Sequence, residues 1–348
     1  MRSARLIPAI FVIITVLALV AGCAQPTAAP TEAPAAPAAT EPPAEPEKFR
    51  VAVVMPSAIN DLAFRQSMYD ALGAIQDEMG ADSFEFAHSD GMFVVDDAAA
   101  AIRDYATQGY DLVIAHGSQY GSSLVEIAPD FPETSFAWGT TVDTFTDQGV
   151  ENVFAYEARS EEGGYVLGVV AASLSQSDVL GVIGPIETGD AKLYVDGFKA
   201  GVLATQPDAQ VNVNWTGSFS DVALASEAAQ THIDAGADAL TGSAQMVVGA
   251  VGVAEENDVL WFGTQADQTS LAPNVVVASQ VYDWTVVLDQ LIELIHGGTR
   301  GGQAFALDLA NGGLIVQYNP GFSVGDDVKA LADETVQGIV DGTITVLE

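Results

Sequence analysis

Cysteine is almost absent from this chain: Cys23 is the single one among 348 residues. No disulfide can therefore staple the fold, and no thiolate cluster can hold a metal. Basic side chains are nearly as scarce. Lysine and arginine together number 11 against 47 aspartates and glutamates, and lysine occurs only at positions 48, 192, 199 and 329. So few cations cannot form the basic patch that offsets nucleic-acid phosphate, and an anionic bilayer surface repels such a chain. His88, His116, His232 and His296 lack metal-ligand spacing such as His-x-x-x-His, so no metal site is expected. Gly181-Val182-Ile183-Gly184 is too short for a dinucleotide fingerprint, so no cofactor is expected. Ser118 and Ser243 lack a Gly-x-Ser-x-Gly elbow, and no carboxylate pair stands out as an acid–base couple. An enzyme finds no support in these residues.

What is present begins at the N-terminus. Arg2 and Arg5 precede the apolar run Leu6–Val20, which ends in Val20-Ala21-Gly22-Cys23. A basic start, a short apolar stretch and small residues before the cut site make a secretory signal over residues 1–22. A transmembrane span needs roughly 20 apolar residues, which this run does not reach. A cysteine directly after small residues is what lipoprotein signal peptidase requires, so Cys23 is the expected lipidation site. Residues 24–48 hold seven of the fifteen prolines and nine alanines. They cannot form a core, and at ~3.1 Å per residue they could extend on the order of 75 Å. Residues 23–48 therefore read as a lipidated tether.

Without the signal, 9 basic side chains face 47 acidic ones, a formal charge of −38. Such a surface favours solubility and also fits life in salt or at low pH, where screening or protonation relieves self-repulsion. Residues 49–348 exceed what one core usually holds, so two lobes are expected.

From Phe49 short β-branched runs alternate with longer amphipathic ones. Strands are expected at Phe49–Met55, Ser83–His88, Leu112–His116, Ser135–Trp138, Val179–Ile183, Val211–Trp215, Ala239–Gly242 and Leu260–Thr264. Helices are expected at Asn60–Met79, Asp96–Gln108, Glu161–Leu174, Val222–Ala235 and Gln245–Glu256. This alternation implies an α/β fold of parallel sheets covered by helices, with ligands at the carboxyl ends of strands. An internal echo points the same way. Tyr110–Ser118 reads like Ala237–Ser243, and Trp138-Gly139-Thr140 like Phe262-Gly263-Thr264; the glycine-to-glycine spacing is 22 residues (117 to 139) and 21 (242 to 263).

An ordered set of motifs then carries a resemblance. It runs through Asn60–Ser67, Gly109–Ile114, Ala128–Pro132, Glu161–Gly168, Asp196–Gly201, Trp215–Asp221, Ala235–Asp238 and Ala266–Gln268. Behind the lipobox, and across nearly all of residues 49–320, the chain resembles the basic membrane protein family. These are lipid-anchored substrate-binding proteins of ABC importers, among them purine-nucleoside binders. The resemblance implies a type I periplasmic-binding fold, two doubly wound parallel-sheet lobes joined by three crossing segments and closing by hinge motion. The crossings are expected near Tyr156, Ser279 and Val316. That assigns 49–156 plus 279–315 to lobe 1 and 157–278 plus 316–348 to lobe 2.

Residue by residue, Asn60, Asp61, Phe64 and Gln66 match the family's first binding turn, Phe219 its second-lobe aromatic, and Asp267 part of its acidic turn. Phe64 and Phe219 are the stacking candidates, since aromatic walls hold planar ligands at low entropic cost. Core packing is the alternative role for each, and a helix cap the alternative for Asp61. Gly117, Ser118 and Tyr120, with Gly242 and Gln245 in the second lobe, fall at turns facing the expected cleft, as do Trp138 and Tyr282. Four departures bear on the ligand. The usual asparagine is Arg65, a usual aspartate is Thr140, another carboxylate is Gln265, and the usual lysine is Tyr282. Gln265 can still bond a hydroxyl, being both donor and acceptor.

The function implied is a lipid-anchored, extracytoplasmic, monomeric receptor of an ABC importer. It captures a small polar or aromatic solute, nucleosides favoured, and presents it to permease subunits in the same membrane. The alternatives are a sensory receptor of the same fold, or a binder of another ligand such as a flavin or sugar.

Overall fold

A computed structural model describes residues 48–347. The expected signal at 1–22, Cys23 and the tether up to residue 47 lie outside the described residues.

The first half of the chain lays down strand and helix in alternation: β1 (Phe49–Val54), α1 (Phe64–Met79), β2 (Phe84–Ser89), α2 (Val95–Thr107), β3 (Leu112–Ala115), α3 (Gly121–Ile127), β4 (Ser135–Gly139) and β5 (Val153–Ala158). The second half repeats the pattern: α4 (Ser160–Leu174), β6 (Val179–Gly184), α5 (Gly189–Thr205), β7 (Gln210–Trp215), α6 (Val222–Asp234), β8 (Ala239–Gly242), α7 (Val247–Glu256), β9 (Leu260–Gln265) and β10 (Val276–Tyr282). The chain ends with α8 (Thr285–His296), β11 (Ala304–Leu307), β12 (Leu314–Tyr318) and α9 (Asp326–Val340).

Two six-stranded sheets result, ordered β2-β1-β3-β4-β5-β11 and β7-β6-β8-β9-β10-β12. The pairings are parallel except β10 with β12. The central strands explain the near-continuous apolar runs: every residue of β3 (LVIA) and of β8 (ALTG) is buried, because helices cover both sheet faces. In each sheet the strand order reverses beside β1 or β6. Ligands bind outside the carboxyl ends of such sheets.

The chain passes between sheets after Ala158, after Tyr282 and between Leu307 and Leu314. These points differ from the expected Tyr156, Ser279 and Val316. β10 pairs with β9 through Val281, so Ser279 to Tyr282 belong to the second sheet, and β12 joins that sheet from Leu314. α8 returns to the first lobe, where Val287, Leu288 and Leu291 pack into its core. α9 buries Val328 and Ala332 in the second.

The helix expected from Asn60 begins only at Phe64. Asp61 accepts the backbone N–H groups of Ala63 (3.0 Å) and Gln66 (3.2 Å), and Leu62 sits at φ 50°, so residues 60–63 form a capping turn instead. In the second lobe α4 and α5 pack backbone to backbone. A Cβ at Gly197 or Gly201 would overlap the carbonyl oxygens of Glu161 and Tyr165, and one at Gly168 that of Phe198. Only glycine permits that approach.

Candidate ligand-binding site

Between the carboxyl ends of the two sheets lies a cavity of about 410 Å³, within the range of small-molecule sites. Each lobe contributes the turns after four strands. From the first come Phe64 and Arg65 after β1, Phe93 after β2, Gly117 and Ser118 after β3, and Thr140 after β4. From the second come Gly189 and Asp190 after β6, Phe219 after β7, Ser243 after β8, and Gln265 at the end of β9. The internal echo therefore reflects a real near-repeat of topology, with matching turns facing one another across the cleft.

Three of the lining residues, Thr140, Ala244 and Gln265, are non-glycines with φ between 68° and 74°. Such strain gathers at ligand clamps, where the surroundings over-determine the backbone.

Phe64 is 5% exposed and forms the floor. Its ring stacks on His116 with centroids 3.9 Å apart and 6° between planes, and Trp284 meets it edge-on at 5.7 Å. His116 Nε2 lies 3.0 Å from the Phe64 carbonyl oxygen, which can only accept, so Nε2 carries the proton. Nδ1 then accepts from the Tyr156 hydroxyl at 2.6 Å. Burial first, and then the nearby Arg65 charge, lower His116 to about 3 against the pull of the Phe64 carbonyl, so the ring is neutral.

Arg65, 6% exposed, crosses the cleft: its Nη1 donates to Gln245 Oε1 of the second lobe at 2.6 Å. Asp61 Oδ2 lies 3.8 Å from the same nitrogen. Burial lowers the Arg65 pKa, opposed by Asp61, Tyr120 and Asp190. Asp190 stands opposite at the start of α5, its carbonyl oxygen held by Ser160 Oγ at 2.5 Å. Its side chain is half-buried, yet the walls around it desolvate the carboxyl and push it up to about 6. Hydrogen bonds from backbone N–H groups and the charge of Arg65 only partly offset that rise. Arg65 Nε and Gln265 Oε1 are buried with no partner, a costly state for a polar atom.

Of the residues named from sequence, Phe64, Gly117, Ser118, Phe219 and Gln265 line the cavity; the others are placed differently. Asn60 is exposed on the preceding turn, Asp61 caps α1, and Gln66 Oε1 accepts the Leu62 N–H at 3.1 Å to close the same turn. Tyr120 is buried and donates to the Met92 carbonyl at 2.7 Å, fixing the loop that carries Phe93. Trp138 stacks on Phe145 and donates to the Gly117 carbonyl at 3.2 Å. Gly242 is buried against Ile183, and Gln245 serves through Arg65. Asp267 Oδ2 accepts from Gln317 Nε2 at 2.8 Å, away from the cavity, and Tyr282 is buried beside Phe64 and Trp284.

Phe93 and Asp190 were missed, and Arg65 and Thr140 were noted only as departures. The echo held the signal. Phe93 follows β2 as Phe219 follows β7, and Asp190 opens the helix after β6 as Arg65 opens the one after β1. Among the described residues no cluster of His, Cys, Asp and Glu could hold a metal ion, and no helix is long and apolar enough to cross a membrane.

Comparison with known proteins completes the picture. The family described as "ABC transporter substrate-binding protein PnrA-like" matches residues 48–345. A "Purine-binding protein" of Brucella abortus is 28% identical over 80% of this chain and 75% of its own length. A "Putative ABC transporter glucose-binding protein" of Haloferax volcanii is 24% identical over 86% of this chain and 75% of its own. An ABC transporter solute-binding protein of Conexibacter woesei is similar in structure, with TM-score 0.71 and 25% identity over 86% of this chain and all of that one.

Proposed function

The chain belongs to the PnrA-like family of ABC transporter substrate-binding proteins, which are extracytoplasmic and not enzymes, and from that premise we propose that it is the lipid-anchored receptor of a nucleoside importer. It captures one nucleoside between its lobes and delivers it to permease subunits in the same membrane, acting as a monomer held by Cys23. The cavity carries the reading. Phe64 and Phe93 from one lobe and Phe219 from the other offer flat apolar faces, while Arg65, Asp190 and Gln265 supply polar groups between them. That is the composition a ring with a hydrogen-bonding edge requires. The basic start, apolar run and small residues before Cys23 support the anchor.

A thermal-shift screen of the full chain against nucleosides, flavins, sugars and amino acids tests the ligand class. At a hundredfold excess over Kd a ligand stabilises by about 2.7 kcal/mol, a shift of roughly 5 °C. The relative named as glucose-binding makes sugars the competing class. A shift with sugars and none with nucleosides would replace the nucleoside reading. Substitution Cys23→Ser should move the protein from the membrane fraction to the soluble one.

A further inference from the structure

We infer that the cavity takes 6-oxopurine nucleosides, such as guanosine and inosine, in preference to 6-aminopurine nucleosides such as adenosine, because Arg65 of its first lobe can only donate while Asp190 of its second lobe presents a carboxyl acceptor. The inference rests on the nucleoside reading and goes further, to the polar edge of the base.

Arg65 is the cation that lines the cavity, and a guanidinium can only donate. One of its nitrogens is spent on Gln245, while Nε is buried and unpartnered. Its Cζ lies over the Phe64 ring, 5.6 Å from the centre, next to the aromatic floor of the cavity. The opposite wall reverses the polarity. Asp190 presents a carboxyl, and beside it Gln265 is an amide whose Oε1 is buried with no donor. Arg65 forms its ion pair with Asp61 of its own turn and not with Asp190, so the two walls stay free to grip something between them.

A 6-oxopurine answers both walls. Its O6 and N7 are the acceptor pair that arginine reads in guanine, and its N1–H is a donor for Asp190 or Gln265. Guanine adds the N2 amino group on the same side. Adenine inverts the pattern. Its N6 amino group would set donor against donor at Arg65, and its N1 lone pair would face the oxygens of the second lobe. An amide side chain, which donates and accepts, suits adenine instead.

Calorimetric titration of the full chain with guanosine, inosine and adenosine at pH 7.5 decides it. Guanosine and inosine should bind at least about tenfold tighter than adenosine. Arg65→Gln, which puts an amide in place of the donor fork, should bring that ratio to threefold or below. Asp190→Asn attacks the same ratio from the other lobe, and covers the case in which loss of the buried Arg65 charge prevents folding. A purely structural role for either residue would weaken both nucleosides together and leave the ratio unchanged. Adenosine binding as tightly as guanosine to the wild type, or a ratio that survives both substitutions, overturns the inference and spares the nucleoside reading. Binding of no nucleoside at all removes both.

Discussion

In the first lobe the cavity wall is an aromatic stack. Phe64 lies on His116, His116 is held by Tyr156, and Trp284 closes edge-on against all three rings. In the second lobe the corresponding helix, α5, is seated by glycines. Gly197 and Gly201 lie against the α4 backbone, and Ser160 at the head of α4 holds the Asp190 carbonyl. The equivalent turns thus serve one cavity by different means. The aromatic wall contributes its own packing energy and presents a ring to the cavity. The glycine wall contributes close backbone approach and presents a helix start and a carboxyl. Both also bear on the crossings, since Tyr156 and Trp284 flank two of them and Ser160 follows the first. A hinge motion would therefore pivot next to the cavity walls.

The contrast can be broken from either side. Phe64→Ala removes a buried ring from the centre of the stack and should cost about 4 kcal/mol of stability as well as ligand affinity, measured by urea unfolding and calorimetry. Gly201→Ala should cost about 3 kcal/mol, because the added methyl meets backbone that cannot move aside. A loss under 1 kcal/mol would show that the α4–α5 contact yields easily. Phe93 is 46% exposed, so Phe93→Ala should leave stability within about 0.5 kcal/mol while weakening ligand binding about tenfold.

A smaller effect sharpens the account of His116. Its pKa in the folded protein, about 3, lies below the ordinary histidine value, so folding favours the neutral ring. Between the two values the unfolded chain binds more protons. The contribution is therefore complete above pH ~6.5 and is lost as pH falls toward 3. The stability difference between wild type and His116→Gln should shrink on the order of 1 kcal/mol per pH unit from 6 to 4. Taking the difference removes the response of the acidic surface, which both proteins share. A difference that stays constant would mean that His116 keeps an ordinary pKa. The surface has its own check. Raising NaCl from 0.1 to 1 M at pH 7 should raise Tm by a few degrees, since the formal charge is −36 over the chain and screening relieves self-repulsion.

The alternation of strands and helices was legible because buried parallel strands such as Leu112–Ala115 are apolar throughout and short. α5 was not, because glycines and apolar residues cover two of its faces, one against α4 and one against the sheet, and no single stripe emerges. β5 likewise passed unmarked, its Tyr156-Glu157 breaking the apolar run. Gly117 and Ser118 could be read from strand-end position, Phe64 from that position and the family resemblance together, and Phe219 and Gln265 from the resemblance. Asp61 and Tyr120 occupy equally suitable positions in the chain. Their side chains turn away because backbone N–H groups at α1 and the Met92 carbonyl needed partners. Arg65 could be seen as a departure from a pattern, but its reach across the cleft to Gln245, 180 residues away, is a property of the fold alone.

The central claim is that one ligand is gripped by walls from both lobes at once. Calorimetric titration of guanosine into the wild-type chain, Phe93→Ala and Phe219→Ala tests it directly. The expected result is one site per chain, with affinity reduced about tenfold in each variant although the two residues lie in different lobes. Unchanged affinity in either variant, or saturable binding that survives both, would contradict a shared interlobe site.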